Sequence, residues 1–418
     1  MRSIAQTRTI SIAQIGTMLT ATLLSACIGG KGTTAATPVV PTLNTMTLTV
    51  DSGPAAATGQ INHAYVTVKV CAPGSQTQCT NVDHVLLDTG SVGLRLVRSV
   101  LTTGGVTLNA QTDSQGRAIE ECVSFGGGQT WGPVALADVT LAGESAAKLP
   151  IQIMDDTSAG APPPATCSAN GTLANAVSVF GANGLLGVGV FAEDCGSACV
   201  SAAAPLPVYY GCTTAGVCTA ANAALAAQVA NPVAMFAVDN TGVIVNLPNL
   251  QNANGDASVQ GELIFGIATQ TDNALPATGL TVLGTDANGD FTVNYNGSAT
   301  ILAALIDSGT DAYTFDDPTI AVCASGAFIG GYYCPTVAPQ SVSAVNSGRS
   351  GTIVSNTVDF AIADPNTFVA TASAFINLAG GPASKNFVWG MPFFYGRKIY
   401  VGIDQRVADI YTGPYFAY

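Results

Sequence analysis

The chain has 418 residues, which is enough for one or two domains with sizeable cores. Its 46 glycines, 21 prolines and 48% hydrophobic residues favour a turn-rich all-β protein over long helices, which would need more Leu, Glu and Lys. The net charge of −13 argues against nucleic acid as a partner, because phosphate recognition requires basic patches.

The first 26 residues have the pattern of an export signal. Arg2 and Arg8 precede a moderately apolar run over residues 10–24, and the run ends in Leu-Ser-Ala before Cys27. Residues 1–26 resemble a bacterial lipoprotein signal peptide, in which the cysteine is acylated and becomes the first residue of the mature protein. The alternative is an ordinary secretory signal that is cut close to this cysteine.

Acylation of Cys27 would anchor the protein to a membrane without spanning it. Residues 27–46 would then be the lipidated cysteine and a flexible tether. Ile28 follows the cysteine, and this resembles outer-membrane sorting more than retention at the inner membrane. The expected location is therefore the bacterial cell envelope, at the outer membrane, facing the periplasm or the cell surface.

Ten cysteines remain after Cys27, and this even number predicts up to five disulfides in an oxidising compartment. Short spacings predict three local pairs: Cys71–Cys79, Cys212–Cys218 and Cys323–Cys334. The spacing leaves the pairing of four others open: Cys122, Cys167, Cys195 and Cys199. A metal at Cys195 and Cys199 is the alternative, but no His or further Cys pair lies at a fitting spacing, so no metal site is predicted.

The folded part is predicted to begin with strands at residues 45–50 and 65–70. Between residues 122 and 134, two strand-like segments flank a glycine-dense tip, a composition that is typical of a mobile hairpin. Residues 156–182 are rich in Ala, Pro, Ser and Gly and are predicted to form a surface loop. The Ala-rich residues 220–230 predict a short helix.

One short pattern occurs twice. Residues 85–91 (VLLDTGS) and 304–310 (ALIDSGT) each lead three apolar residues into a carboxylate, followed by a hydroxyl residue, a glycine and a second hydroxyl residue. An aspartate directly after a buried strand needs hydrogen-bond donors, which the turn N–H groups and the hydroxyls supply. A single copy would be an ordinary strand-ending turn. Two copies predict that Asp88 and Asp307 belong to one carboxylate site.

Each aspartate pattern is followed later in the chain by an apolar–apolar–glycine segment. The first segment ends at Gly187 (LLG) and the second at Gly390 (VWG). The same order of parts in both halves indicates an internal duplication, with two similar lobes facing each other.

Together these motifs resemble the pepsin-like aspartic peptidases over roughly residues 47–418. In that family, each of two β lobes contributes one catalytic aspartate from an Asp-Thr/Ser-Gly turn and threads an apolar–apolar–glycine strand beside it. The resemblance implies an all-β, bilobal double β-barrel with a deep interlobe cleft and few short helices. It also implies an N-terminal lobe of residues 47–255 carrying Asp88 and a C-terminal lobe of residues 256–418 carrying Asp307.

The resemblance further implies roles for individual residues. Asp88 and Asp307 would share one proton and activate a water that attacks a peptide carbonyl, with no cofactor and no metal. Thr89 and Ser308 would brace one turn against the other, while Ser91 and Thr310 would hydrogen-bond the outer carboxylate oxygens. The complete supporting set is Thr89, Gly90, Ser91, Ser308, Gly309 and Thr310, with Gly187 and Gly390 as the glycines in the lobe cores.

The hairpin at residues 122–134 corresponds to the flap that closes over substrate and excludes water. Its predicted substrate-binding residues are Phe125, Gly126, Gly127, Gly128 and Trp131. Family members usually carry a flap Tyr that hydrogen-bonds a Trp seven residues after the first catalytic aspartate. The corresponding residues here are Phe125 and Arg95, so this hydrogen bond is absent. Trp131 is the candidate to take the place of the flap Tyr.

The sequence therefore predicts a monomeric aspartic-type endopeptidase that acts on a peptide or protein substrate. The altered flap keeps a second hypothesis open, a non-catalytic pepsin-like lipoprotein that binds peptide or glycan in the interlobe cleft. His63 and His84 are the only histidines, so a Ser-His or Cys-His nucleophile has few candidates.

Overall fold

The computed structural model describes residues 43–168, 171–297, 299–324, 326, 328, 331–382 and 384–418. The signal peptide predicted at residues 1–26, Cys27 and most of the tether predicted at 27–46 lie outside the described residues. None of the helices described is long and apolar enough to cross a lipid bilayer.

Strands dominate the described parts of the chain. The first twelve are β1 (Thr45–Val50), β2 (Ala64–Cys71), β3 (Cys79–Asp88), β4 (Val92–Val97), β5 (Ala118–Phe125), β6 (Gly128–Leu141), β7 (Glu144–Met154), β8 (Gly184–Val188), β9 (Tyr209–Cys212), β10 (Cys218–Ala220), β11 (Gly242–Asn246) and β12 (Val259–Phe265). The others are β13 (Val282–Gly284), β14 (Phe291–Tyr295), β15 (Ile301–Ile306), β16 (Tyr313–Thr314), β17 (Gln340–Ser347), β18 (Ser355–Ile362), β19 (Ala379–Gly380), β20 (Phe387–Trp389), β21 (Lys398–Gly402), β22 (Val407–Ala408), β23 (Tyr411–Thr412) and β24 (Tyr415–Ala417).

In the part of the chain that the structure describes, helical structure is confined to short pieces. The α-helices are α1 (Arg98–Thr103), α2 (Ala165–Ser168) and α3 (Val177–Phe180). Single 3₁₀ turns occupy Gly196–Cys199, Leu225–Ala227, Val233–Met235, Pro365–Thr367 and Met391–Phe393. The expectation of an all-β protein with few short helices is confirmed.

Two barrel-like sheets carry the two aspartate turns. A 15-stranded sheet has the order β10-β9-β5-β6-β7-β4-β8-β3-β2-β1-β12-β11-β21-β24-β13, and a 7-stranded sheet has the order β18-β17-β14-β15-β20-β16-β19. β3, which ends at Asp88, lies in the larger sheet, and β15, which precedes Asp307, lies in the smaller one. The expected bilobal double β-barrel is confirmed.

The larger sheet joins the beginning of the folded chain to its second half. β1 pairs antiparallel with β12 along its whole length, from Thr45 opposite Ile264 to Val50 opposite Val259. β12 continues through β11 to β21 and β24 near the C-terminus. Strands from both halves of the chain therefore form one continuous sheet.

Buried apolar strands thread beside both turns. β3 runs parallel to β8, which pairs antiparallel with β4, and β8 and β4 are buried along their whole length. In the smaller sheet, β15 runs parallel to β20. Strands that are buried on both faces read as continuous apolar runs, and this explains the pattern before the first aspartate, where residues 85–88 are all buried. In β15, before the second aspartate, only Ala304 and Ile306 are fully buried.

The local strand predictions hold, but the helix predicted at residues 220–230 is wrong. Only the 3₁₀ turn Leu225–Ala227 forms within it. The Ala221 N–H donates to the Tyr209 carbonyl and the Ala223 N–H donates to the Cys199 carbonyl, so this segment hydrogen-bonds to distant backbone. Long-range pairing overrides the helix propensity of its alanines.

All ten predicted cysteines form disulfides. The three local pairs are confirmed, and the four left open pair as Cys122–Cys167 and Cys195–Cys199. The second of these pairs removes the alternative of a metal bound by its thiolates. Five disulfides are typical of a protein outside the cytoplasm.

Candidate active site

The two aspartates receive nearly the same set of hydrogen bonds from their own turns. Asp88 Oδ1 accepts from the N–H groups of Gly90 (2.8 Å) and Ser91 (3.2 Å), and its Oδ2 accepts from Ser91 Oγ at 2.5 Å. Asp307 Oδ1 accepts from the Gly309 N–H at 2.8 Å, and its Oδ2 accepts from Thr310 Oγ1 at 2.6 Å. The turn glycine and second hydroxyl of each pattern thus orient the carboxyl group that precedes them.

The turns meet so closely that each carboxyl group lies against the other turn's glycine. A Cβ atom on Gly90 would lie 2.6 Å from Asp307 Cγ, and one on Gly309 would lie 2.9 Å from Asp88 Cγ. Any side chain at these two positions would separate the aspartates. The two carboxyl groups are therefore close enough to interact electrostatically.

Thr89 and Ser308 lie beneath the carboxyl groups and are fully buried. Thr89 Oγ1 donates to the Ile306 carbonyl (2.8 Å) and accepts from the Ser308 N–H (3.0 Å). Ser308 Oγ donates to the Leu87 carbonyl (2.8 Å) and accepts from the Thr89 N–H (3.1 Å). Four hydrogen bonds between the two turns fix their separation in a pseudo-symmetric arrangement.

The threading strands leave no room for a side chain beside either turn. A Cβ atom on Gly187 would lie 2.7 Å from backbone atoms of Val92, and one on Gly390 would lie 2.1 Å from the Ala312 carbonyl oxygen. The backbone just beyond each glycine bonds the adjacent turn, because the Gly189 N–H donates to the Ser91 carbonyl and the Met391 N–H donates to that of Thr310. The glycines let the strand backbone approach and hold the turns.

The protonation of the pair is perturbed. Burial and the neighbouring Asp88 carboxylate raise the pKa of Asp307 well above its ordinary value, although Thr310 and the Gly309 N–H favour the ionised form. Two carboxyl groups in contact cannot both ionise easily, so the pair retains one proton over a wider pH range than either group would alone.

The hairpin above the first turn is formed by β5 and β6. Phe125 pairs with Gly128, so the tip is the exposed dipeptide Gly126–Gly127. β9 pairs with the outer edge of β5, and Gln129 of β6 exchanges backbone hydrogen bonds with residues 172 and 174. The Cys122–Cys167 disulfide adds a covalent connection. Composition predicted a mobile hairpin; the structure braces β5 as far as Cys122 and β6 at Gln129, and leaves the outer edge of residues 123–125 unpaired by strand β9.

Trp131 does not take the place of the missing flap Tyr. Its side chain is buried beside the Cys122–Cys167 disulfide, where Nε1 donates to the Ala161 carbonyl at 2.7 Å and the ring packs on Tyr210. Arg95 takes the position near the tip instead, with its Cζ 5.6 Å from the centre of the Phe125 ring. The placement of Trp131 depends on its partners in the loop at 156–182, which sequence alone does not identify.

A cavity of about 1,410 Å³ opens beside the first aspartate turn. Thr89, Gly90 and Ser91 form part of its wall, with Val123 of the hairpin and Leu305 before the second turn. Five further lining residues carry carboxyl groups: Glu193, Asp194, Asp286, Asp290 and Asp404. The cavity is large enough to hold several residues of an extended peptide.

Sequence reasoning identified Arg95 only as a departure from the family and missed its partners, Glu121 and Asp194. The available signal was a charged residue in the middle of a strand that is otherwise apolar, VGLRLV. A charge at a buried position requires partners, but these come from β5 and from the segment after β8, which the local sequence does not specify.

Comparison with known proteins gives a family and a structural likeness. The family described as "Protein of unknown function (DUF3443)" matches residues 41–418. No curated protein matches the sequence. Among solved structures, the aspartic proteinase from Irpex lacteus is similar at 16% identity and a TM-score of 0.47, with 90% of this chain and 96% of that chain covered. The match spans all of the described residues and shows that the protein belongs to the DUF3443 family.

Proposed function

We propose that this protein is an aspartic-type endopeptidase in which Asp88 and Asp307 activate a water molecule for peptide-bond hydrolysis. The observation that carries the proposal is the close approach of two similarly oriented carboxyl groups, each lying against the glycine of the other turn, beside a large cavity whose wall includes Thr89, Gly90 and Ser91. Such a pair, called the dyad from here on, can act as acid and base at once. This chemistry requires neither a metal nor a cofactor.

The two carboxyl groups would have different roles in the reaction. The ionised member accepts a proton from water, and that water attacks the carbonyl carbon of the scissile bond. The protonated member hydrogen-bonds the developing oxyanion, and its proton reaches the leaving amine. The raised pKa of Asp307 is consistent with a pair that keeps one shared proton, as this division of roles requires.

The proposed substrate is a peptide or protein segment bound between a lobe of residues 47–255 and a lobe of residues 256–418. We assign the protein to the outer membrane of a bacterial cell envelope as a monomer, anchored by a lipid on Cys27 and facing the periplasm or the cell surface. The lipoprotein-like signal sequence and the five disulfides support this location.

One observation favours a second candidate function, a non-catalytic module that binds peptide or glycan in the same cleft. Phe125, next to the glycine tip of the hairpin, has no hydroxyl group with which to hydrogen-bond a bound chain or a flap partner. A binding module, however, has no need of two carboxyl groups in contact, since their mutual repulsion costs stability. We therefore rank the peptidase first.

Cleavage of a denatured protein between pH 3 and 7 tests the peptidase proposal. We expect Asp88→Asn and Asp307→Asn each to lower kcat/KM by on the order of 10³-fold or more, because each removes one half of the acid–base pair. A statine-type inhibitor should block the wild-type protein. The activity should fall as pH rises past the upper apparent pKa of the pair, because the shared proton is then lost.

Asp359→Asn is a suitable control, because Asp359 is exposed on β18. It should retain wild-type activity, and thermal unfolding should show that both dyad variants are folded. Equal cleavage by the wild type and both dyad variants would exclude the proposed mechanism. If the folded wild-type protein cleaves nothing but binds peptide, the binding module becomes the better assignment.

A further inference from the structure

Arg95 is a fully buried arginine in the strand that follows the first aspartate turn. Its guanidinium donates to the Val92 carbonyl at 2.6 Å, to Glu121 Oε1 at 2.8 Å and to Asp194 Oδ2 at 2.9 Å. Asp194 is held in turn by Tyr209, whose hydroxyl donates to Oδ1 at 2.6 Å. One side chain therefore connects β4, β5 and the segment after β8.

Stability alone does not explain this network. Burying charged groups is costly, and apolar residues of similar volume are often equally or more stable than a buried ion network. Here one guanidinium faces two carboxyl groups, and burial together with Asp194 raises the pKa of Glu121 well above its ordinary value. What the network supplies is defined geometry, since the planar guanidinium fixes several acceptors at once.

The geometry of Arg95 connects the dyad to the hairpin. Val92, whose carbonyl Arg95 bonds, immediately follows Ser91, which hydrogen-bonds the Asp88 carboxylate. Glu121 lies on β5, and Phe125 at the end of that strand places its ring 5.6 Å from Arg95 Cζ. A guanidinium at this distance from a ring makes an attractive cation–π contact.

The Phe125 ring lies at the edge of a small apolar cluster that includes Tyr65 and Leu86, and Arg95 is the charged group that the ring contacts. Phe125 is half-buried and packs edge-on against Phe180 at a centroid distance of 6.3 Å. The next two residues are exposed glycines, and Cβ atoms on them would meet nothing within 4 Å. Arg95 thus makes a charged contact with Phe125, the last residue of β5 before the glycine tip of the hairpin.

We propose that Arg95 is a positioning residue that fixes the Phe125 end of the hairpin relative to the Asp88 turn, through its ion network with Glu121 and Asp194 and its contact with the Phe125 ring. The network holds this end of the hairpin in place before substrate arrives. This inference rests on the proposed peptidase function for its effect on catalysis, but its effect on the hairpin does not depend on cleavage.

The test uses a charge-free variant in which Arg95→Met, Glu121→Gln and Asp194→Asn are combined, so that no buried charge loses its partner. A second variant, Phe125→Leu, keeps an apolar side chain and removes only the ring. We expect each to raise KM about tenfold with kcat changed less than about threefold, and to speed hydrogen exchange of the amides of residues 123–128 about tenfold. Combining the two should add little, because both act through one contact.

Arg117→Met with Asp113→Asn provides the matched control. This ion pair lies at the opposite end of β5 from the tip and is partly exposed. Its removal should leave KM and tip exchange at wild-type values. If the charge-free variant does not fold, KM and tip exchange of the Phe125→Leu protein alone test the proposed role of Arg95.

Exchange is measured without substrate, so the two proposals can fail separately. Wild-type exchange at residues 123–128 in the folded variants overturns the role of Arg95, whether or not the protein cleaves peptides. Faster exchange in a protein with no peptidase activity supports the role of Arg95 and overturns the peptidase. Faster exchange together with a fall in kcat at unchanged KM contradicts a positioning role in substrate binding.

Discussion

At the scale of single residues, the hydroxyl groups of Thr89 and Ser308 do more than orient a side chain. Each accepts the backbone N–H of the other residue and donates to a backbone carbonyl of the opposite strand. All these groups lie away from water, where a backbone group without a partner costs about 1–3 kcal/mol. The two turns are therefore held together by satisfying each other's backbone.

Thr89→Val should destabilise the protein by about 1–3 kcal/mol, because the isosteric methyl group leaves the Ile306 carbonyl and the Ser308 N–H without partners. Urea unfolding measures this change. Thr89→Ser keeps the hydroxyl and should cost much less. Equal stability of the Val and wild-type proteins would mean that water replaces the hydroxyl at the dyad.

At the scale of elements, the hairpin shows which structural features can be predicted from local sequence and which cannot. Its two strands and its glycine tip can be predicted from local composition. Its bracing cannot, because β9 joins the edge of β5 from much later in the chain and the Cys122–Cys167 disulfide closes a long loop. Short spacings predicted the three local disulfides, whereas a pair separated by 45 residues leaves no local signal.

Loss of the Cys122–Cys167 disulfide should therefore destabilise the protein more than loss of a local one. Cross-links stabilise largely by restricting the unfolded chain, and the effect grows with loop length. For a separation of 45 residues we expect Cys122→Ala with Cys167→Ala to cost up to about 4 kcal/mol. The stability is measured by guanidinium unfolding.

The matched comparison is Cys212→Ala with Cys218→Ala, which opens a loop of separation 6 on the neighbouring strands β9 and β10. That double variant should cost about 2 kcal/mol. The reverse order of the two stabilities would indicate that packing around the sulfur atoms, rather than loop closure, dominates.

At the scale of the whole molecule, the internal duplication accounts for most of what could be predicted. Two copies of one pattern were sufficient to predict two sheets with an aspartate turn in each. The continuous sheet that joins β1 to β12 was not predicted, because strand pairing between distant segments leaves no periodicity in either. The Arg95 network was missed for the same reason, since its members come from three separate segments.

The buried carboxyl groups give the whole molecule a definite pH dependence. Burial raises the pKa of Glu120 to about 8 and that of Glu144 to about 7, and it raises the pKa values of Glu121 and Asp307 well above their ordinary range. These groups bind protons more tightly in the folded than in the unfolded state, so their contribution to stability is complete at low pH and is lost as pH rises.

A smaller set of carboxyl groups acts in the opposite direction. Hydrogen bonds from Arg117 and Gln115 to Asp113 lower its pKa, and hydrogen bonds to Asp155 and Asp317 lower theirs. The stability that these three contribute is present above the ordinary aspartate pKa and is lost as pH falls below it. Because the two sets of carboxyl groups act in opposite directions, we expect the folded protein to be most stable in mild acid.

The midpoint of thermal unfolding should accordingly be highest at about pH 4–5 and should fall continuously towards pH 9. Glu120→Gln should unfold at nearly the same temperature as the wild type near pH 5 and at a higher temperature at pH 9, because the glutamine cannot ionise in its buried site beside Asp155. Glu262→Gln, at an exposed position on β12, is the control and should leave the slope unchanged. A wild-type midpoint that rises between pH 5 and pH 9 would show that Glu120 and Glu144 are ionised in the folded protein, with cations or water close enough to offset their burial.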